Sequence, residues 1–373
     1  MGNSYQIYSN FLFDKAGELG IPLSGTFELT ARCNLDCRMC YIHRRANDAA
    51  ALRGEKTGAQ WLALAEECCR EGTLNLLLTG GEPLIRPDFR EIYTGCRKMG
   101  FMVSLNSNAT LIDEEMMDFL SNDPPARINI TLYGASPDTY GKLCGDPGAY
   151  DRAIRVILGL QERGVLVKLN LSVTQYNRQD LQQIFAFARA HNLPLQAATY
   201  MFPPVRACEQ GCFQTERMTA REAARAQMDY DRFCFTSEEL KKRWTAQLNG
   251  IQVSNPDSEC QELPTERIRC RAGRSTYWIT WNGKMRPCGM MTVPDIPVEL
   301  GKFKAAWDRL RVVREEIMVP ARCTGCERRH VCDQCSALCY AETGSFTKVP
   351  EYVCDKTRAY LELTRKALEQ DEL

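Results

Sequence analysis

The chain has 373 residues, 44% hydrophobic and 25% charged, which is typical of a globular protein with an ample core. Lysine plus arginine and aspartate plus glutamate each number 47, and this zero formal charge argues against a nucleic-acid partner. No apolar run approaches the roughly 20 residues of a membrane helix, and the N-terminus lacks the pattern of a signal peptide, so we expect a cytoplasmic location without membrane contact.

Strands and helices alternate along the first two hundred residues. Apolar runs and alternating patterns predict strands at 25–30, 74–81, 101–108, 127–134, 165–174 and 193–202. Amphipathic patterns predict helices between them at 59–72, 87–99, 111–121, 147–163 and 178–191, with Asp113 as an N-cap. This alternation indicates parallel strands joined by helical crossovers. Because a complete eight-unit barrel needs about 250 residues, we predict an α/β fold with a partial (β/α)6 barrel.

The composition changes after the last predicted strand. Residues from 203 onward hold an Arg- and Ala-rich helical stretch, and residues from about 263 are rich in Cys, Arg and Gly until a final helix at 355–371. We therefore predict an N-terminal segment, a barrel, a connector and a small Cys-rich C-terminal domain. Their boundaries are 1–24, 25–205, 206–262 and 263–373.

Cysteine is unusually abundant, with 19 residues. Disulfides are rare in reducing cytosol, so this abundance indicates metal binding or redox chemistry. Cys33, Cys37 and Cys40 have the spacing CxxxCxxC, which can ligate three irons of a [4Fe–4S] cluster and leave the fourth open. The alternative is a zinc site, for which His43 could supply the fourth ligand. A scattered set fits small core residues instead: Cys68, Cys69, Cys96 and Cys144.

A glycine turn, TGGEPL at 79–84, follows the second predicted strand. Gly80 and Gly81 would let the backbone approach a ligand closely, and the Glu82 carboxylate could accept hydrogen bonds from an ammonium group. The alternative is an ordinary tight turn. Active sites of such folds lie at the carboxyl ends of the parallel strands, so we expect this turn to meet the cysteine group at one mouth.

Residues 33–40 together with 79–84 resemble the radical S-adenosylmethionine (SAM) superfamily. The resemblance implies that the three cysteines bind a [4Fe–4S] cluster, that SAM chelates its open iron, and that the GGE segment with Pro83 holds the amino group of SAM. The residue before the third cysteine is often aromatic in the family, but here it is Met39. Packing against the adenine of SAM would therefore fall to Met39 or to its neighbour Tyr41. Further candidate SAM contacts, each of which could equally be an ordinary polar residue at a strand end, are Ser107, Asn108, Thr131, Tyr133 and Ser172.

The C-terminal cysteines resemble the SPASM domain of radical SAM enzymes. That resemblance implies two auxiliary [4Fe–4S] clusters, hence three clusters in all. One would use Cys323, Cys326, Cys332 and Cys354; the other would use Cys270, Cys288, Cys335 and, as a candidate fourth ligand, Cys260. A one-residue deletion relative to the family pattern leaves Cys335 and Cys339 as alternatives, and a pair of zinc ribbons is the alternative for the whole region.

The implied activity is reductive cleavage of SAM to a 5′-deoxyadenosyl radical that abstracts hydrogen from a substrate. We expect a peptide or protein substrate, an electron donor such as flavodoxin or ferredoxin, and a separate leader-peptide-binding protein, because few residues precede the first strand. The alternatives are a sulfatase-maturating (formylglycine-forming) enzyme, a peptide or sugar epimerase or dehydrogenase, and a non-catalytic iron–sulfur electron-transfer protein. Cys208 or Cys212 could donate a hydrogen atom, and Arg206 could anchor a substrate carboxylate; incidental roles or metal ligation are the alternatives for these three.

Overall fold

The structure is a computed structural model that describes residues 2–203, 206, 217–250 and 266–372. Its strands are β1 (Ser24–Glu28), β2 (Arg32–Cys33), β3 (Arg44–Arg45), β4 (Asn75–Thr79), β5 (Met102–Ser107), β6 (Arg127–Thr131), β7 (Val167–Ser172), β8 (Leu195–Ala198), β9 (Thr276–Ile279), β10 (Lys284–Arg286) and β11 (Ile296–Pro297).

Its helices surround the sheet and extend to the C-terminus. They are α1 (Gly2–Leu19), α2 (Ala49–Gly54), α3 (Gly58–Arg70), α4 (Phe89–Lys98), α5 (Glu114–Asn122), α6 (Pro137–Cys144), α7 (Ala149–Glu162), α8 (Leu181–Ala190), α9 (Ala220–Cys234), α10 (Ser237–Asn249), α11 (Phe303–Arg314), α12 (Ala321–Thr324), α13 (Ser336–Thr343) and α14 (Glu351–Glu369). None of the helices in these described ranges is long and apolar enough to cross a membrane.

Six parallel strands form the core of the main sheet. Within the described residues the strand order is β11-β10-β9-β1-β4-β5-β6-β7-β8, and β1 and β4 through β8 are all parallel. These six strands overlap the six predicted segments, which confirms the α/β fold with a parallel core. Side chains of β1 and β4 pack on α3, where the rings of Phe27 and Trp61 lie 4.8 Å apart. Burial of such apolar faces is the main favourable contribution to folding.

Side-chain caps fix the starts of several crossover helices. Thr57 and Gln60 form a capping box at α3, and Asp113 accepts a hydrogen bond from the Met116 N–H at α5, as predicted. Helix α6 is a finding that the sequence did not predict. It begins after the N-cap Ser136 and ends at Gly145, whose φ of 77° suits glycine.

The C-terminal region extends the same sheet rather than lying apart from it. Strand β9 pairs in parallel with β1, and β10 and β11 continue the sheet in antiparallel fashion. Helix α11 packs against α3, where Glu67 accepts hydrogen bonds from the backbone N–H groups of Gly301 and Phe303. The predicted domain boundaries stay predictions, but residues 276–297 share backbone hydrogen bonds with the barrel.

The region predicted as a connector contains a helical layer of its own. Helices α9 and α10 both start with capping boxes and pack against α14. Trp244 is buried in this layer, and its indole N–H donates to the Tyr360 hydroxyl at 3.1 Å. Through this second apolar cluster, the C-terminal helix α14 packs against α9 and α10, the two helices that follow the barrel in the sequence.

Candidate active site

The cysteine loop lies at the carboxyl end of β1 and rests on the end of α6. The Asp36 N–H donates to the Cys144 carbonyl at 3.1 Å, and the Arg38 N–H donates to the Leu143 carbonyl at 2.9 Å. All three cysteine side chains of the loop line one cavity of about 210 Å³. The structure therefore brings Cys33, Cys37 and Cys40 together, as their spacing suggested.

Hydrogen-bond donors surround the sulfur atoms of this loop. Cys33 Sγ accepts from the Leu35 N–H at 3.4 Å and from Asn108 Nδ2 at 3.6 Å, and Cys40 Sγ accepts from the His43 N–H at 3.2 Å. Burial raises the pKa of the Cys33 thiol and raises that of Cys40 to about 11. Each thiol thus keeps its proton unless a cation binds, while the donors suit the thiolate that a metal would require.

Cys37 has a different environment from its two neighbours in the loop. A hydrogen bond with the Cys144 thiol and burial together raise the pKa of Cys37 well above its ordinary value, while the Tyr133 hydroxyl lowers it in part. Cys144 lies at the end of α6 and is buried. Of the other cysteines predicted to be small core residues, Cys68 and Cys96 are also buried, whereas Cys69 is exposed. Reading Cys144 as a small core residue therefore omitted its contact with the site.

The zinc alternative requires a fourth ligand, for which His43 was the candidate. The two ring nitrogens of His43 lie 3.0 Å from an Asp36 carboxylate oxygen and 3.2 Å from the Cys37 carbonyl oxygen. Among the described residues, no three His, Cys, Asp or Glu side chains already converge as a single-ion site. A cavity of about 210 Å³ with three thiols on its wall has room for a cluster of several irons, so the donor set fits a [4Fe–4S] group.

The glycine turn packs directly on the backbone that leads into the cysteine loop. A Cβ atom on Gly80 would lie 2.4 Å from the Thr30 carbonyl oxygen, and one on Gly81 would lie 2.5 Å from that of Arg32. The Gly81 N–H donates to the Thr30 carbonyl at 2.9 Å. Both glycines also line the cavity, so they serve close packing of two backbones as well as access to a ligand.

Glu82 joins the glycine turn to the end of β5. Its carboxylate is fully buried and accepts hydrogen bonds from the Leu84 N–H at 3.2 Å, the Ser107 hydroxyl at 3.0 Å and the Asn108 N–H at 2.7 Å. Burial raises the pKa of Glu82 to about 7, although these three donors oppose the shift. Among the described residues that line the cavity, Gly80 and Gly81 are present and Glu82 is not. Its contact with the SAM amino group stays a prediction, as does that of Pro83, which is buried in the same turn.

Polar side chains from four strand ends complete the wall of the cavity. The five predicted SAM contacts all lie there, with two more that the sequence did not single out, Thr79 and Asn106. Asn106 accepts a hydrogen bond from Asn129 Nδ2 at 2.8 Å. The position of Asn106 near the end of a predicted strand was the signal that could have identified it. The predicted residues are Ser107, Asn108, Thr131, Tyr133 and Ser172.

A buried ion pair lies beside the cysteine loop at the end of β1. The Arg206 guanidinium donates to both carboxylate oxygens of Glu28, one at 2.7 Å, and Trp278 Nε1 donates to the same carboxylate at 3.0 Å. Glu28 is fully buried, and the Arg206 side chain is 7% exposed. Arg206 therefore anchors a carboxylate of this chain, and its role toward a substrate stays a prediction. Cys208 and Cys212 lie outside the described residues.

The C-terminal cysteines form a second group around a smaller cavity. Cys270, Cys332 and Cys335 line a cavity of about 180 Å³, and Cys288 interacts electrostatically with Cys270 and Cys335. Cys339 is buried beside them, and its sulfur accepts from Gln334 Nε2 at 3.1 Å. Cys323 interacts electrostatically with Cys326, Cys332, Cys339 and Cys354. Cys260 lies outside the described residues, and the division of ligands between two clusters stays a prediction.

Comparisons with known proteins agree with this geometry. Residues 27–188 match the family model described as the Radical SAM superfamily. The chain is 27% identical to the AdoMet-dependent heme synthase of Methanosarcina barkeri over 347 residues, 87% of this chain and 94% of that protein. It is 23% identical to the Sporulation killing factor maturation protein SkfB of Bacillus subtilis over 283 residues, 74% of this chain and 62% of that protein. The solved structure of native anSMEcpe with bound AdoMet has a TM-score of 0.65 at 17% identity, covers 94% of this chain and 98% of that chain, and shows the fold.

Proposed function

We propose that the chain is a radical SAM enzyme that abstracts hydrogen from a peptide or protein after cleaving SAM, a proposal supported by the match of residues 27–188 to the Radical SAM superfamily model. The observation that carries the proposal is the single cavity at the carboxyl ends of the parallel strands. It joins the three thiols Cys33, Cys37 and Cys40 to the glycine turn at Gly80 and Gly81.

The chain's own residues would bind, orient and shield the cofactors. Cys33, Cys37 and Cys40 would ligate a [4Fe–4S] cluster, and the half-buried backbone of Gly80 and Gly81 on the cavity wall would face SAM. When bound, the cluster and SAM supply a one-electron cleavage whose product radical removes hydrogen from carbon. The aromatic, aliphatic and thioether side chains on the cavity wall exclude water from the reacting atoms, and these are Leu35, Met39, Tyr41, Ile42 and Tyr133.

We extend the proposal to two auxiliary [4Fe–4S] clusters in the C-terminal group. Cys323, Cys326, Cys332 and Cys354 would hold one, while Cys270, Cys288 and Cys335 would hold the other with Cys260. Support for Cys335 over Cys339 comes from the cavity, because Cys335 lines it together with Cys270 and Cys339 is buried on α13.

A peptide substrate is supported by the similarity to SkfB, whose name describes maturation of a killing factor. A second candidate is a reaction on a porphyrin, because the similarity to the heme synthase extends over 87% of this chain. The two candidates differ in the molecule that should stimulate SAM cleavage. We therefore test peptides encoded next to the gene in parallel with iron porphyrins, and we follow the mass of each product. Conversion of the porphyrin without conversion of any peptide would replace the first candidate by the second.

The test of the proposed activity is SAM cleavage by anaerobically reconstituted protein with dithionite. We expect 5′-deoxyadenosine from the wild-type protein, about twelve irons per chain for three four-iron clusters, and no product from the Cys33, Cys37, Cys40→Ala triple variant. The matched control is a Cys69, Cys96, Cys234→Ala variant, whose thiols lie outside both cavities and which should keep activity. If iron-loaded wild-type protein cleaves no SAM with any candidate substrate, the result would favour the alternative that this chain is a non-catalytic iron–sulfur electron-transfer protein.

A further inference from the structure

The carboxylate of Glu55 joins two segments that border the cavity of the cysteine loop. Glu55 is the C-cap of α2, and its side chain is 5% exposed. It accepts hydrogen bonds from the Thr30 hydroxyl, from Arg32 Nε at 2.8 Å and from Arg86 Nη1 at 3.3 Å. A second bond from Arg32, through Nη2 at 3.1 Å, makes that contact bidentate. Donors from two distant parts of the chain thus meet on one buried carboxylate.

The two arginines lie next to the two motifs of the proposed active site. Arg32 directly precedes Cys33, the first residue of the cysteine loop, and Arg86 follows the glycine turn by two residues. Arg86 also donates to the Leu29 carbonyl at 3.0 Å, so its guanidinium connects the region of the glycine turn with the residue after β1. Glu55 therefore lies between the segments that carry the thiols and the glycines.

The charges at this point balance, and most of them are buried. Arg86 has a second carboxylate partner, Asp88, at 2.7 Å. Two guanidinium groups therefore meet two carboxylates, and the side chains of Arg32 and Arg86 are only 10% and 5% exposed. Removing one partner from such a buried group leaves an uncompensated charge, which costs far more than the loss of a surface ion pair. The contacts of Glu55 should therefore resist displacement.

The backbone of the same residues receives the glycine turn. The Gly81 N–H donates to the Thr30 carbonyl at 2.9 Å. The Glu82 N–H donates to the Arg32 carbonyl, also at 2.9 Å. Glu55 thus holds, through their side chains, the two residues that hold the glycine turn through their carbonyl groups. A shift of Thr30 or Arg32 would change the distance between the glycine turn and the cysteine loop.

We propose that Glu55 is a positioning residue, which fixes the glycine turn against the cysteine loop so that SAM can contact both. The inference rests on the proposed function, in which SAM meets the open iron of the cluster and the backbone of the glycines. A ligand that is held at two places binds well only if both are already at the right distance, because ordering them on binding costs affinity.

The first test follows the glycine turn in the absence of SAM. Glu55→Gln keeps the shape of the side chain, but a neutral amide cannot balance two guanidinium groups, and its NH₂ group faces donors. In anaerobic, iron-loaded protein, hydrogen–deuterium exchange of a peptide that covers 79–85 should report the hydrogen bonds of Gly81 and Glu82. We expect exchange there to be about tenfold faster than in the wild type.

The second test measures SAM affinity and iron content in the same protein. By equilibrium dialysis, Glu55→Gln should bind SAM about tenfold more weakly than the wild type. Its iron content should equal that of the wild type, because the three thiols belong to one loop. A loss of about four irons per chain would show that Glu55 supports the cysteine loop itself, and would overturn the inference.

A second variant guards against failure of Glu55→Gln to fold. Glu55→Asp keeps the negative charge that the guanidinium groups require, but its shorter side chain cannot reach Arg32 and Arg86 together. It should change exchange at 79–85 and SAM affinity in the same direction. Wild-type values of both quantities in a folded Glu55 variant would overturn the inference.

The matched control is Glu67→Gln, which neutralises another buried carboxylate. Glu67 accepts hydrogen bonds from the backbone N–H groups of Gly301 and Phe303, and it lies outside the wall of the cavity. Urea unfolding places all variants on a common scale of stability. The control should lose stability and keep both the exchange at 79–85 and the SAM affinity of the wild type. Equal changes in the control would mean that Glu55 acts only through stability.

The exchange measurement separates the inference from the proposed function, because it needs no SAM. Unchanged exchange at 79–85 in the Glu55 variants overturns the inference even if the wild type binds and cleaves SAM. Iron-loaded wild-type protein that binds no SAM contradicts the proposed function, whereas the exchange measurement still decides whether Glu55 holds the glycine turn.

Discussion

The two cysteine groups are held in place by different kinds of contact. Around the barrel mouth, backbone meets backbone: the glycine turn rests on Thr30 and Arg32, and the cysteine loop rests on the end of α6. In the C-terminal group, side chains support the loops. Arg314 holds three carbonyl groups of the Cys270 loop, and Lys356 bonds to Asp333 at 2.9 Å.

The difference has a consequence for accessibility. Cys37 is buried, and Cys33 and Cys40 are only partly exposed. In the C-terminal group Cys339 is buried and most of the other cysteines are partly exposed, but Cys270 and Cys335 are exposed. A site supported by parallel strands excludes solvent, which protects a reactive radical. A site made of loops can accept electrons at its surface. The two groups are thus suited to different tasks, and each task can be tested through the contacts that support it.

The largest effect should come from Gly81→Ala, which disturbs the backbone packing of the barrel mouth. Its Cβ atom would lie 2.5 Å and 2.6 Å from the carbonyl oxygens of Arg32 and Ala31, and neither can rotate away. We expect a loss of about 3 kcal/mol in the free energy of unfolding, measured by urea unfolding of the iron-free protein. In reconstituted protein about four of twelve irons should be lost.

Gly148→Ala is the matched control for this substitution. A Cβ atom there meets the flexible Arg152 side chain at 3.2 Å, and Gly148 already has an ordinary helical φ of −71°. We expect its stability to stay within about 0.5 kcal/mol of the wild type. If Gly81→Ala were as stable as Gly148→Ala, the close packing of the glycine turn would not support the site.

A smaller effect should follow Arg314→Met, which removes side-chain support from the C-terminal group. Three backbone carbonyls lose their donor, so we expect a loss of about 2 kcal/mol in the free energy of unfolding. Iron should be lost from the C-terminal group, with SAM cleavage by dithionite retained. Arg309→Met, on the exposed face of the same helix, should change neither quantity. Loss of iron from both groups would show that the two supports are not independent.

Much of the barrel could be predicted because its signals are local. The six parallel strands are apolar runs that end in turns, and their order along the chain is also their order in the sheet. Strands β9 to β11 could not be predicted, since they have only four, three and two residues, and the first of them, β9, is fixed by pairing with the distant β1. Helix α6 escaped prediction because its eight residues include Pro137 and Gly141.

The parts of the site that belong to short sequence motifs could be predicted. The CxxxCxxC spacing and the GGE turn follow neighbouring parallel strands, and the carboxyl ends of such strands meet. The pairing of Glu28 with Arg206 joins residues 178 apart and has no local pattern. The carboxylate of Glu82 was expected to face a ligand, but two of its three hydrogen bonds come from Ser107 and Asn108 at the end of β5, which lie far from it in the sequence.

The smallest effect concerns a single donor to one sulfur atom. Asn108 Nδ2 lies 3.6 Å from Cys33 Sγ, and its orientation is fixed because Thr110 donates to Oδ1 at 2.9 Å. Losing one hydrogen bond to a ligating sulfur favours the oxidised cluster by about 1 kcal/mol. Asn108→Ala should therefore lower the reduction potential of the barrel cluster by about 40 mV for one electron, measured by a redox titration followed by electron paramagnetic resonance.

The control for Asn108→Ala is Ser172→Ala, which changes the same cavity wall at a different strand end. It should leave the potential unchanged in protein without SAM. If Asn108 acts only by binding SAM, its substitution would weaken SAM binding and leave the potential of the SAM-free cluster where it is. A shift without SAM instead places Asn108 among the residues that position the cluster ligands.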